Sequence, residues 1–226
     1  MATDVRIVSN TVRELLAMGD MKRAVDALIA AGHGYHVSIG ALTTPIVGGG
    51  AVTIIDQDRP EGVLSIGANQ AMVPVRIDVQ CEVGLIAADS EVDEILIAVD
   101  RLEPAQGLSI TGLTREAVFN MRTDLGDAEA GELTAVSAVT ANITNPTLGL
   151  ELARAQNFRD VQGVATTVLG TQFRLLYEPL HPPIIMGNGT GAAIYIYWGG
   201  TVAVSGFAQA QVVVFPQSWV KDLAVS

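Results

Sequence analysis

The sequence predicts a mainly β protein: an antiparallel, jelly-roll-like β-sandwich over residues 35–226, preceded by a short N-terminal helical arm over residues 1–34. Three observations predict it. Helical spacing of apolar residues is confined to the beginning of the chain. Beyond it the period falls to two, in short segments recurring about every 10–20 residues with turn-forming clusters between them. No helical pattern separates those segments, as a parallel sheet with crossover helices would require.

The helical part is "SNTVRELLAMGDMKRAVDALIAAGHG". Asn10 or Thr11 followed by Glu14 makes a capping-box pattern. Val12, Leu15 and Leu16 share one side. Gly19 breaks the run and Asp20 is placed to cap a second helix, in which Ala24, Leu28 and Ala31 recur at helical spacing until Gly32 and Gly34 end it. This predicts one broken helix or two short ones between residues 11 and 31.

The first strand signal is "MVPVRIDVQCEVGLIA", where Val73, Val75, Ile77, Val79 and Cys81 alternate with Arg76, Asp78, Gln80 and Glu82. "EILIAVDR", "REAVFNMRTD", "GELTAVSAVTANIT", "TTVLGTQFRLLYE", "AAIYIYWGG" and "TVAVSGFAQAQVVVF" follow as further strands. Between them lie the turn-rich stretches "DRPEG", "AADSEVD", "LEPAQG", "DLGDAEAG", "TNPTLG" and "HPPIIMGNGTG". "LGLELARAQNFRDV" (Leu148–Val161) reads as strand or irregular chain rather than a helix across the sheet. The chain holds no internal repeat and no linker rich enough in Pro, Gly or Ser to divide the sandwich.

The last two strand signals raise a question of association. Nothing between Glu178 and Lys221 is formally charged. Ile194 and Ile196 alternate with Tyr195 and Tyr197, and "WGG" reads as a reversing turn. Ala203, Ser205, Phe207, Gln209 and Gln211 then fall opposite Val204, Ala208, Ala210 and Val212. A strand wet on one face ordinarily carries charge there, whereas Gln, Ser and Tyr form hydrogen bonds without the desolvation cost of a charge. The sequence thus predicts that the strands Ala192–Trp198 and Thr201–Phe215 form an intersubunit face. Tyr195, Tyr197, Trp198, Phe207, Gln209, Gln211 and Phe215 are its candidate residues.

Composition points the same way. Charged residues make up 16 % of the 226, against about 25 % in ordinary soluble domains, and a surface so poor in charge predicts a homo-oligomer. A net charge of −11 argues against direct nucleic-acid binding, which needs clustered Lys and Arg. No run approaches the roughly 18 uninterrupted apolar residues of a membrane helix. The start "MATDVRIVSN" has no apolar core of a secretory signal, so cytoplasmic production is expected. The single cysteine, Cys81, is predicted to be an inert apolar residue.

Candidate chemistry is sparse. His33 and His36, in "HGYH", are too few ligands for zinc without a further cluster, and His181 precedes two prolines. "DQD" (Asp56, Asp58) and "DSEVDE" (Asp89, Glu91, Asp93, Glu94) read as solvated turns, since neither has calcium-loop spacing. "GNGTG" (Gly187–Gly191) lacks the Lys-Ser/Thr and helix of a phosphate loop, and "GGG" (Gly48–Gly50) reads as a flexible loop. Asn142 and Asn188 head glycosylation sequons that are expected to stay unmodified. No triad or nucleotide motif is present. The expectation is no enzyme, no metal and no cofactor.

"GANQAMVPVRIDVQCEV" (Gly67–Val83) and the closing "YIYWGGTVAVSGFAQAQVVVFP" resemble the jelly-roll structural proteins of viruses, in particular small β-sandwich virion proteins of tailed phages. The resemblance spans about residues 35–218 and rests on patterns of strand and turn. It implies an N-terminal arm, a β-sandwich, trimers or larger rings, other capsid proteins as partners and a place in the virion. The long spine helix and charged arm of the main phage shell fold are absent, as is the basic tail of genome-packaging jelly rolls. The implied role is therefore decoration, stabilising or minor capsid subunit. Two other classes compete. A lectin-like or receptor-binding module would use "TNPTLG" or "HPPIIMGNGTG" with Tyr177, Tyr195, Tyr197 and Trp198 as stacking surfaces. A cupin-type enzyme would need its His residues on adjacent strands.

Overall fold

The computed structural model describes residues 5–50, 55–82, 90–100, 114–128, 132–137, 148–160, 172–187, 189, 191–201 and 204–221. Helices α1 (Val5–Ala17) and α2 (Met21–Ala30) lead into β1 (Gly34–Ile39), β2 (Ile46–Val47), β3 (Gly49–Gly50), β4 (Gly62–Ile66), β5 (Gln70–Glu82) and β6 (Ser90–Asp100). Then come β7 (Thr114–Arg115), β8 (Val118–Asn120), β9 (Leu133–Ser137), β10 (Leu148–Asp160) and β11 (Gln172–Tyr177). The chain closes with β12 (Ile185–Met186), β13 (Ala192–Gly200), β14 (Ser205–Pro216) and the one-turn helix α3 (Ser218–Lys221).

These strands form two facing sheets, the predicted mainly β sandwich. The first runs β11-β5-β14-β1-β8, with β12 on β5 and β2 on β14; the second runs β10-β6-β13-β4-β9-β7, with β3 on β13. Every described pairing between the longer strands is antiparallel, and the short β3 pairs parallel with β13. The chain passes from sheet to sheet at β4–β5, β5–β6 and β13–β14, so strands adjacent in sequence commonly face one another across the core.

Period-two alternation decides which side chains meet there. Val37, Ile39, Ile77, Val79, Ala208, Ala210, Val212 and Val214 of the first sheet oppose Leu64, Ile95, Ile97, Val99, Ile194, Ile196 and Trp198 of the second. Each fully buried aliphatic side chain contributes about 1.5–3 kcal/mol, so this interior is the main source of stability.

The helices lie against the outer side of the first sheet. Val12, Val25 and Leu28 are buried on Ala71, Val73, Val213, Phe215 and Trp219, with Val8 and Leu16 beside them. The Arg13 guanidinium donates to the Ser218 carbonyl at 2.9 Å and ties α1 to α3. Asp20 caps α2 as predicted, its carboxylate accepting from the Arg23 amide at 3.2 Å. The first helix differs from expectation: it starts at Val5, and Asn10 and Thr11 sit exposed within it. Burial of Val8, Val12 and Leu16 on the sheet outweighs a local capping signal.

The helices cover only part of the sheet, and β5 records the boundary. A bulge sets Gln211 opposite Arg76 and Val212 opposite Pro74, leaving Val75 as the extra residue. Before it, Ala71 and Val73 face the helices while Met72 faces the core; after it, Ile77, Val79 and Cys81 face the core. The predicted single alternation from Val73 to Cys81 is therefore two alternations joined by a bulge.

Candidate functional site

The predicted intersubunit residues divide in two. β13 runs through the middle of the second sheet, between β6 and β4, and all nine of its residues are buried. Ile194, Ile196 and Trp198 point into the sandwich. Tyr195 and Tyr197 point to the other side, into a cluster with Val63, Leu96, Ala98 and Val136, over which Ile55 packs. Tyr197 donates its hydroxyl proton to the Gln57 carbonyl at 2.9 Å, and Tyr195 donates to Asp100 Oδ2 at 3.5 Å. Burial pushes both phenols well above their usual pKa, so they remain protonated donors. Trp198 donates its amide to Glu61 Oε2 at 2.9 Å and its indole N–H to the Ile46 carbonyl at 3.1 Å.

Nor do the final strands form a hairpin. "WGG" continues β13, with Gly199 and Gly200 beside Gly49 and Gly50, and the chain then crosses to the other sheet. The expectation of an intersubunit face built by these strands is thus corrected for Tyr195, Tyr197, Trp198 and Phe215, which lie inside one chain. A central strand covered on both faces needs no charge to stay soluble, and that explains the part of the gap that falls on Ala192–Gly200. The same burial, with Tyr177 included, withdraws the aromatic surfaces of the lectin-like reading.

Phe207, Gln209 and Gln211 do face outward, on the half of the first sheet that the helices leave open. They lie beside Gln80, Asp78 and Arg76 of β5, and Gln209 and Gln211 also lie beside Ser38 and His36 of β1. Asp78 anchors this face. Arg174 of β11 donates to it twice, at 2.7 and 2.6 Å, and Arg76 lies 3.4 Å away. The Arg174 hydrogen bonds hold the Asp78 carboxyl below its ordinary pKa, against the opposing effect of burial.

The feature that sequence reasoning missed is a flank that no described residue covers. β10 and β11 end the two sheets on the same side of the sandwich. Among the described residues β10 pairs with β6 alone and β11 with β5 alone. Leu152, Ala153, Phe173 and Leu175 pack on the core from this side but remain half-buried. Phe158 and Leu176 are exposed outside them, Phe158 to 70 %. Arg154 bridges Glu94 and Glu151, with its Nη2 2.8 Å from Glu151 Oε2. The sequence signal was "LELARAQNF", whose Ala, Arg and Gln suit a helix as well as an edge strand.

The remaining candidates resolve into structural roles. The His33 ring meets Trp219 edge-on at 5.2 Å, and burial lowers its pKa while Glu132 opposes the shift. His36 lies on the open face beside Ser38, and His181 is exposed. Among the described residues no group of three or more His, Cys, Asp or Glu is placed to hold a metal. Asp56 accepts from the Asp58 amide at 3.1 Å, the predicted turn. Asp93 and Glu94 instead belong to β6 and are buried, Asp93 receiving Asn157 Nδ2 at 3.4 Å and Glu94 receiving Arg154; the expectation of a solvated turn is corrected there. Asp89 and the sequon residues Asn142 and Asn188 lie outside the described residues, as does most of "TNPTLG".

Both glycine clusters contain residues that make close backbone contacts. A Cβ on Gly48 would sit 2.1 Å from the Trp198 carbonyl oxygen, so the strip that leads into β3 packs tightly against the end of β13 instead of forming a loose loop. A Cβ on Gly187 would meet the Gly67 oxygen, and one on Gly191 the Ile66 oxygen, each at 2.1 Å. Gly191 also has a φ of +139°, which side chains other than hydrogen rarely adopt. Cys81 is buried, and burial followed by the nearby Glu61 and Asp93 charges raises its pKa. No helix among the described residues is long and apolar enough to cross a membrane. No protein-family model and no curated protein matches the chain.

Proposed function

We propose that the chain is a non-enzymatic structural subunit of a virion, a capsid-associated protein of the decoration, stabilising or minor type that acts as a homo-oligomer. The observation that carries the self-associating part is that flank. Core side chains of both sheets are half-exposed along one side, next to a 13-residue edge strand. β10 contains no Lys or Pro, its two bulges lie near its start, and no described residue pairs with its outer edge. A chain with 16 % charged residues has little else to keep such a side solvated. The capsid part rests on the resemblance of the strand and turn patterns to phage jelly-roll proteins, with the sandwich fold as its support. Subunit contacts then lie at the flank and on the Phe207–Gln211 face, not on β13.

Light scattering on the purified full chain tests this reading. The expected result is a discrete oligomer, a small multiple of 23.7 kDa, that incorporates into particles of the parent phage-like assembly. A strict monomer at every concentration overturns it.

A further inference from the structure

We propose that two copies of the chain join edge to edge through β10, antiparallel about a two-fold axis beside Gln156, so that the second sheet continues from one copy into the other. This rests on the self-associating reading above and names the surface and the occupant. An unpaired strand edge presents a row of backbone donors and acceptors, and a second strand satisfies them.

The side chains of β10 select its own copy as that strand. Beyond the bulge in its pairing with β6, Arg154, Gln156 and Phe158 all point outward and are exposed. An antiparallel two-fold pairing centred on Gln156 sets that residue against itself. It also sets Arg154 opposite Phe158 of the second copy, and Phe158 opposite the other Arg154, on the same outer face. A guanidinium over an aromatic ring is a favourable contact, and the pairing makes two. Arg154 is already held by Glu94 and Glu151, so less side-chain freedom is lost on meeting the ring. On the opposite face Ala155 meets Asn157, small enough to leave the half-buried Phe173 and Leu175 against the incoming copy.

Registers centred nearer the start of β10 are poorer. Centring on Arg154 opposes two guanidinium groups. Centring on Ala155 turns Phe158 toward Leu152, which packs on the core. Charge gives the same answer: the chain carries −11, but Leu148–Phe158 holds one Glu and one Arg and is neutral. Two strongly acidic copies meet there without a local excess of negative charge on the strand. Such a contact is isologous and closes at two copies, so the trimer implied by the resemblance requires a further, head-to-tail contact.

The test is a cysteine at the axis. Gln156→Cys in the full chain is expected to give a disulfide-linked dimer under mild oxidation, because each new thiol faces its twin and Cys81 is buried. Phe119→Cys, exposed on β8 at the far edge of the first sheet, is expected to stay unlinked. In parallel, Phe158→Lys is expected to weaken wild-type dimerisation about tenfold or more in sedimentation, because two ring contacts are lost and two like charges face each other, with an unchanged β spectrum. If the wild type self-associates while Gln156→Cys does not link and Phe158→Lys leaves association unaltered, the β10 contact is wrong and the self-associating reading stands on another surface. Equal linking at Phe119→Cys overturns the β10 contact too. A wild type that is monomeric throughout overturns both.

Discussion

Replacing Ile196 by Ala separates a strand that builds one chain from a strand that joins two. Ile196 is fully buried in β13, with Ile97 of β6 and Gly62 of β4 as its cross-strand partners. The substitution removes three carbons, worth roughly 2.4 kcal/mol at about 0.8 kcal/mol per buried methylene. The cavity left in a close-packed interior adds to this, giving about 3–4 kcal/mol. With a urea dependence of about 2 kcal/mol per molar, the unfolding midpoint falls by roughly 1.5–2 M. Urea unfolding followed by tryptophan fluorescence, at dilute and concentrated protein, measures that shift. Sedimentation of the folded variant should show unaltered association. A variant that keeps its midpoint but loses its oligomer refutes the placement of β13 in the interior.

Three further outcomes follow from particular contacts. Gly48→Ala should lower stability by about 1–3 kcal/mol in thermal unfolding, because the new methyl meets the Trp198 carbonyl and neither backbone can yield; Gly126→Ala, with open space around it, should stay within about 0.5 kcal/mol. Arg174→Met should flatten the acid limb of the stability curve. Asp78 has its pKa lowered in the folded chain, so its contribution is complete above the ordinary carboxyl value of 3.8. That contribution is lost as pH falls from there through the folded value, and pH-dependent urea midpoints report it. Cys81 should resist thiol reagents in the native protein and react at once in denaturant, since burial disfavours its thiolate.

Most of the fold was legible because period two is a direct consequence of strand geometry. β6, β9, β11, β13 and β14 all lie where apolar alternation or an apolar run marks them. The Gly19-Asp20 break likewise has a local cause, a turn and a cap. β1 and β4 are short, do not stand out among the strand signals and are missed; the other misreadings mostly concern what lies across from a residue, which the local pattern does not state. The uncharged run Ala192–Phe215 has two explanations, a neighbouring copy or a second layer of the same chain. The strand order decides for the second at β13, which is covered on both faces, while Phe207, Gln209 and Gln211 of β14 stay on an open face. Val73 and Ile77 look alike in sequence, yet a single extra residue at Val75 sends them to opposite faces. Asp93 and Glu94 look like turn residues until Asn157 and Arg154 are brought beside them from about 60 positions away. The flank residues Leu152, Phe173 and Leu175 were invisible as a group, because strand order places β10 and β11 together and sequence order does not.

Hydrogen exchange read at high and at low protein concentration tests the division between interior and association surface most directly. The amides of Ala192–Gly200 should be among the slowest at both concentrations, and those of Leu148–Phe158 should exchange faster on dilution as the second copy leaves. Protection of Ala192–Gly200 that vanishes on dilution, with β10 unaffected, would return the contact between copies to the C-terminal strands.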